Sequence, residues 1–175
     1  MNWIKILTEI DSGGQSRVIA NILETNPNEI SSVLECMQNN NATVAWRAAW
    51  VLDNFARINP DKIMPVFDLL INILISTPHP GVRRHITRIL GDVDPAMIED
   101  GRVVDCCIRW LSDLKSPVAV KANAMTVLGN LSTIYPELSV ELIPIIETGM
   151  QNGTPGFRSR GKKILQLLNK EVSEP

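Results

Sequence analysis

Val82-Arg83-Arg84-His85-Ile86-Thr87-Arg88-Ile89-Leu90-Gly91-Asp92 and Val120-Lys121-Ala122-Asn123-Ala124-Met125-Thr126-Val127-Leu128-Gly129-Asn130 follow one pattern, 38 residues apart. Counting the valine as position 0, apolar or small residues recur at positions 0, 4, 7, 8 and 11. At about 100° per residue these positions form one stripe, the buried face of an amphipathic helix. Val44-Ala45-x-x-Ala48 and Phe157-Arg158-x-x-Gly161 open two further copies in the same register.

The residues after position 8 repeat as well. Ile19-Ala20-Asn21, Leu52-Asp53-Asn54 and Leu128-Gly129-Asn130 each place Asn two residues beyond an apolar anchor, and Pro27, Pro60 and Pro136 stand eight beyond it. Leu90-Gly91-Asp92 is a shortened version ending at Pro95. With Leu165 the anchors are spaced 33, 38, 38 and 37 residues apart. A fixed period of that length is the signature of a repeat array. Breaks precede the striped helices at Asn39-Asn40-Asn41, Thr77-Pro78-His79-Pro80-Gly81, Lys115-Ser116-Pro117 and Gly153-Thr154-Pro155-Gly156. Before the last three breaks lie apolar helices over Ile63–Ile75, Val103–Leu114 and Val140–Met150. The unit is therefore helix, turn, helix, and then a proline that ends the second helix.

This pattern resembles the HEAT repeat. The resemblance implies an all-α chain, a right-handed α-α superhelix (solenoid) of about five HEAT-like helix pairs. One domain over residues 1–175 is expected, with repeats at about 1–27, 28–60, 61–95, 96–136 and 137–175. Arg47-Ala48-Ala49-Trp50-Val51-Leu52, Val120-Lys121-Ala122-Asn123-Ala124-Met125 and Arg158-Ser159-Arg160-Gly161-Lys162-Lys163-Ile164-Leu165 also resemble small bacterial HEAT-like proteins of unassigned function. Some of those carry the label adenylosuccinate lyase. The lyases themselves are longer and carry a Met-Pro-x-Lys-x-Asn segment in a flexible loop, which this sequence lacks.

Composition agrees with helices. The chain has one Tyr and three Phe, and 45% apolar residues dominated by Leu, Ile, Ala and Val, a poor supply of strand formers. Cys36, Cys106 and Cys107 are odd in number and without CxxC spacing, so buried free thiols are expected. His79 and His85 fit no zinc pattern, and no cofactor or metal is expected. Lys5 and Glu9 interrupt the N-terminal apolar stretch, and Ile63–Ile75 is shorter than a membrane span and contains Asp68 and Asn72. A soluble cytoplasmic protein with no membrane contact follows.

Charge is unevenly placed. Second helices taken as 44–57, 82–92, 118–131 and 157–170 hold eleven basic residues and two acidic ones; the rest of the chain holds six basic and seventeen acidic. Second helices of HEAT-like arrays line the concave side, where partners bind. Opposite the buried stripe lie positions 2, 5, 6 and 9: Trp46, Ala49, Trp50, Asp53; Arg84, Thr87, Arg88, Gly91; Ala122, Met125, Thr126, Gly129; Ser159, Lys162, Lys163, Gln166. Trp46 and Trp50, one turn apart, offer aromatic surface unless the stack tucks them between repeats. Arg84 or Arg88 could lie over an indole. Arg83, Lys121 and Arg158, all at position 1, are expected to serve the scaffold, and Asn21, Asn54, Asp92 and Asn130 to bond backbone groups at helix ends.

The binding set read from the sequence is Trp46, Trp50, Asp53, Arg84, Arg88, Lys162 and Lys163, with no catalytic residues. The expected partner is an acidic protein or peptide segment held by a non-catalytic module. The alternative is nucleic-acid binding of the kind found in HEAT-like DNA glycosylases for alkylated bases, whose basic face carries Trp, Asp and Arg, as Trp50, Asp53 and Arg88 do here. The lyase activity is the least favoured reading.

Overall fold

A computed structural model describes the backbone of residues 1–173 and the side chains of residues 1–169. Lys170, counted above among the basic residues, and the end of the last repeat lie outside the described side chains. Among the described residues there are ten α-helices and no strand. They are α1 (Trp3–Glu9), α2 (Gly13–Thr25), α3 (Ile30–Met37), α4 (Ala42–Ile58), α5 (Phe67–Ser76), α6 (Pro80–Asp92), α7 (Gly101–Ser112), α8 (Val118–Ser132), α9 (Glu137–Gln151) and α10 (Pro155–Ser173). In chain order they make five consecutive pairs, with the even-numbered helices as the second members.

Start signals sit where the sequence breaks. Asn41 caps α4, its Oδ1 accepting from the N–H groups of Thr43 at 2.9 Å and Val44 at 3.3 Å. Ser12 caps α2 and Asp100 caps α7 in the same way, satisfying N–H groups that a helix start leaves unpaired. The prolines expected to stop second helices do more than stop them. Pro27, Pro60 and Pro95 each open a 3-10 turn as its first residue, a position where the fixed φ and the missing N–H cost nothing. The helix expected from Ile63 accordingly runs as 3-10 turn through Pro65 to Val66, and α5 starts at Phe67.

The chain forms two compact units, Met1–Ile89 and a second from Leu90 onward. In the first, α1, α2 and α3 pack on α4; in the second, α7, α9 and α10 pack on α8. The stripe is buried as expected. Val44, Ala48, Val51, Leu52 and Phe55 of α4 are buried, as are Val120, Ala124, Val127, Leu128 and Leu131 of α8. Phe157, Gly161, Ile164 and Leu168 of α10 are buried as well. Burial of a Leu-sized side chain contributes about 1.5–3 kcal/mol before entropy is counted.

The face opposite the stripe departs from the expectation. Ala49, Asp53, Thr87, Met125 and Gly129 are buried, not solvent-facing. Each central second helix is covered on two sides, by the first helix of its own pair and by neighbouring second helices, so α8 is apolar nearly all round. Only in α10 are all four positions, Ser159, Lys162, Lys163 and Gln166, exposed. The three cysteines are buried free thiols, and burial pushes the Cys107 thiol well up from its ordinary value. Among the described residues no helix is long and apolar enough to cross a membrane.

Candidate functional site

The register that buries the stripe also sets which side chains meet between neighbouring second helices. Position 6 of one helix meets position 3 of the next: Trp50 stacks on His85 at 6.4 Å between ring centroids, and Arg160 donates to the Thr126 hydroxyl at 2.6 Å. Position 9 meets position 6 of the next: Asp53 faces Arg88, and a methyl placed on Gly91 would meet Thr126. Position 10 reaches back to the preceding helix. Asn54 donates to Ser16 Oγ at 3.0 Å, and Asn130 donates to the Gly91 carbonyl at 3.0 Å. These two amides are structural, as expected, but they tie helices together across the stack instead of ending their own.

Along α4 and α6 this ladder is filled with chemistry-bearing residues. Asp53 is buried, its side chain 2% exposed. Its Oδ2 accepts from His85 Nδ1 at 2.8 Å and from Arg88 Nη1 at 3.4 Å. Its Oδ1 has no hydrogen-bond donor and faces Arg57 Nε at 3.5 Å, one turn along α4. One buried carboxylate thus holds two guanidinium groups, each more than a third exposed, and one buried imidazole. A carboxylate taken out of water needs such company, because unpaired burial costs several kcal/mol.

The indoles continue the cluster outward. Trp46 and Trp50 stack at 5.4 Å with planes 29° apart, and both are half-buried. The guanidinium of Arg47 lies 5.7 Å from the Trp46 ring centre, where the sequence had offered Arg84 or Arg88. Arg47 also donates to the carbonyls of Leu7 at 3.0 Å and Thr8 at 2.8 Å, closing the C-terminal end of α1. Gly81 lets α6 approach: a Cβ there would lie 2.5 Å from Trp46 Cβ.

The first unit therefore brings together four of the seven sequence-derived residues, Trp46 and Trp50 stacked and Asp53 and Arg88 ion-paired, while Arg84 is exposed on the same helix as Arg88. Asp53 is not a surface residue, as the position count had it, because α6 seals that face of α4. Lys162 and Lys163 are exposed on α10, in the second unit. Sequence reasoning missed His85, Arg57 and Arg47. His85 stands at position 3, outside both the stripe and the face opposite it. The signal that finds it is the 6-to-3 pairing, which places it beside Trp50.

Position 1 is also explained in part. Arg83 Nε and Nη2 both donate to the Thr77 carbonyl, at 3.1 and 2.8 Å, fastening the loop before α6.

Comparison with known proteins agrees with this geometry. A search of curated proteins finds no significant match. A family model described as a HEAT repeat domain matches residues 5–168, a span that runs from within α1 to Leu168 of α10 and so touches all five helix pairs. The match covers well over half of the sequence, and the chain belongs to the HEAT repeat family.

Proposed function

We propose that this HEAT repeat protein is a non-catalytic binding module that holds an acidic protein or peptide segment against its second helices. The observation that carries the proposal is the α4–α6 cluster: two stacked indoles beside an arginine whose head is fixed by a buried carboxylate. Aromatic and arginine side chains dominate binding hot spots, and a guanidinium already held in place loses less freedom when an anion docks. Arg57 and Arg88 both face the single Asp53 carboxylate, and each guanidinium is more than a third exposed, so both present positive charge to solvent. Lys162 and Lys163 give the second unit a basic surface of its own.

Base recognition through Trp50, Asp53 and Arg88 is the second reading, supported by their meeting at one seam. Weighing against it, the Asp53 carboxylate is turned into the seam with its side chain 2% exposed, leaving it no access to a docked base. The test is fluorescence anisotropy with two probes, a labelled Asp/Glu-rich peptide containing aromatic residues and a labelled single-stranded oligonucleotide. The expected result is peptide binding that weakens with salt and falls about tenfold or more in Arg84→Glu/Arg88→Glu. Tighter binding of the oligonucleotide, lost in the same variant, would move the assignment to nucleic acid. Neither adenylosuccinate cleavage nor release of alkylated bases is expected from the purified protein, as measured by absorbance and by base-release assays.

A further inference from the structure

The proposed function uses Asp53 as an anchor and leaves His85 unexplained. Two guanidinium groups need only the carboxylate, yet Asp53 Oδ2 makes its shortest contact, 2.8 Å, with His85 Nδ1 and stands 3.4 Å from Arg88 Nη1. An amide could supply the same donor. An imidazole adds a second ring nitrogen, and its charge changes between about pH 5 and 8. The His85 ring is buried and stacks on Trp50, with centroids 6.4 Å apart and planes at 28°. A proton gained by this ring acts on the carboxylate on one side and on the indole on the other.

The charged groups around the ring belong to two helices. From α4 come Asp53 and, facing the other carboxylate oxygen, Arg57 at 3.5 Å. From α6 come Arg88, three residues along, and Arg84, which precedes His85 and is exposed. The first helix of the same pair, α5, buries apolar side chains, and its one charged residue, Asp68, is exposed. Once His85 is protonated, one carboxylate therefore serves three cations. We infer that the α4–α6 seam is a proton-operated switch, in which the His85 imidazolium draws the Asp53 carboxylate to itself and releases Arg88 toward solvent. Protonation puts a full charge on the donor side of the His85–Asp53 hydrogen bond and strengthens it. That bond competes for the same oxygen that Arg88 holds at the longer distance. Arg88 is already more than a third exposed, so water can take over from the carboxylate. The consequence for binding rests on the function proposed above: with one more positive charge and a freed guanidinium, an acidic segment binds more tightly as the pH falls.

Tryptophan emission of the full chain alone, followed from pH 8 to pH 5.5, tests the switch without any partner. An imidazolium over the Trp50 indole is a cation on its face and changes its emission. The wild type should show one step, kept in His79→Asn and reduced in Trp50→Phe. His85→Asn keeps an N–H for Asp53 but takes no proton, and it should abolish the step. Arg88→Gln removes the competing cation, so the step should move up by about half a pH unit. Circular dichroism checks that each variant is folded. Anisotropy with a histidine-free Asp/Glu-rich peptide should then show binding about fivefold tighter at pH 6 than at pH 8, a difference lost in His85→Asn. The inference is overturned by the absence of a step, by a step that survives in His85→Asn, or by a midpoint that Arg88→Gln leaves in place. A peptide that binds equally at both pH values overturns the link to binding and leaves the acidic-segment function standing. A peptide that binds at neither overturns that function, while the emission midpoints in wild type and Arg88→Gln still decide the switch.

Discussion

The seam between α4 and α6 and the seam between α8 and α10 are laid out on the same ladder but built from opposite materials. At the first, positions 6 and 9 of α4 carry Trp50 and Asp53, and they meet His85 and Arg88. At the second, the equivalent positions of α8 carry Thr126 and Gly129, which meet Arg160 at position 3 and Ile164 at position 7, one place beyond the position that Arg88 holds in α6. The register is common to both because the buried stripe of each second helix sets it. The contents are free to differ because they lie beside the stripe. A bulky polar seam fixes one arrangement through directional contacts; a small-residue seam lets backbones close and relies on packing. The proposed binding function rests on the first, because buried charge is costly to maintain and adds little net stability over an apolar filling.

The largest effect should be the one common to both units. Leu52→Ala and Leu128→Ala, at position 8 of α4 and α8, should each cost about 2–5 kcal/mol, read by urea unfolding. Both side chains are essentially fully buried. A loss below about 1 kcal/mol at either site would break the claim of a common register, because a buried leucine in a packed core costs more than that to truncate.

The seams should separate at the next level. Asp53→Ala leaves the buried His85 Nδ1 without its acceptor and should cost about 2–3 kcal/mol, whereas Thr126→Ala, which removes one half-buried hydroxyl, should cost about 1 kcal/mol or less. Equal losses in urea unfolding would show that the polar seam contributes no more specificity than the small one. Asp53→Ala should also loosen Arg88 and weaken the acidic-peptide binding proposed above, even under conditions where the variant is fully folded.

The smallest effects concern closeness of approach. Gly81→Ala puts a methyl carbon 2.5 Å from Trp46 Cβ and should cost about 1–3 kcal/mol, with a change in tryptophan emission as the indole stack shifts. Gly129→Ala meets Ile164 at 3.1 Å. The gain of about 1 kcal/mol expected for Ala in a helix should nearly offset the squeeze. A neutral Gly81→Ala would mean that α6 has room to move away from α4, and the Trp46–Trp50 stack would then not be held from that side.

Much of the fold was legible because helical period and turn chemistry are local. Val82 to Leu90 and Val120 to Leu128 announce their buried face by residue type alone. The breaks at Asn41 and Pro80 are readable for the same reason, since a cap or a fixed φ acts within one turn. What the sequence determined by itself was therefore the repeat, its register, the all-α class and the identity of the buried stripe. Only the tertiary structure decided which of the remaining positions face water. Asp53 and Gln166 share position 9, yet Asp53 is sealed against His85 and Arg88 while Gln166 is exposed. The physical reason is that a helix has one face defined by its own composition, while its flanks are buried or left open by neighbours that lie a full repeat away in the chain. His85 and Asp53, 32 residues apart, become partners only when α6 packs against α4.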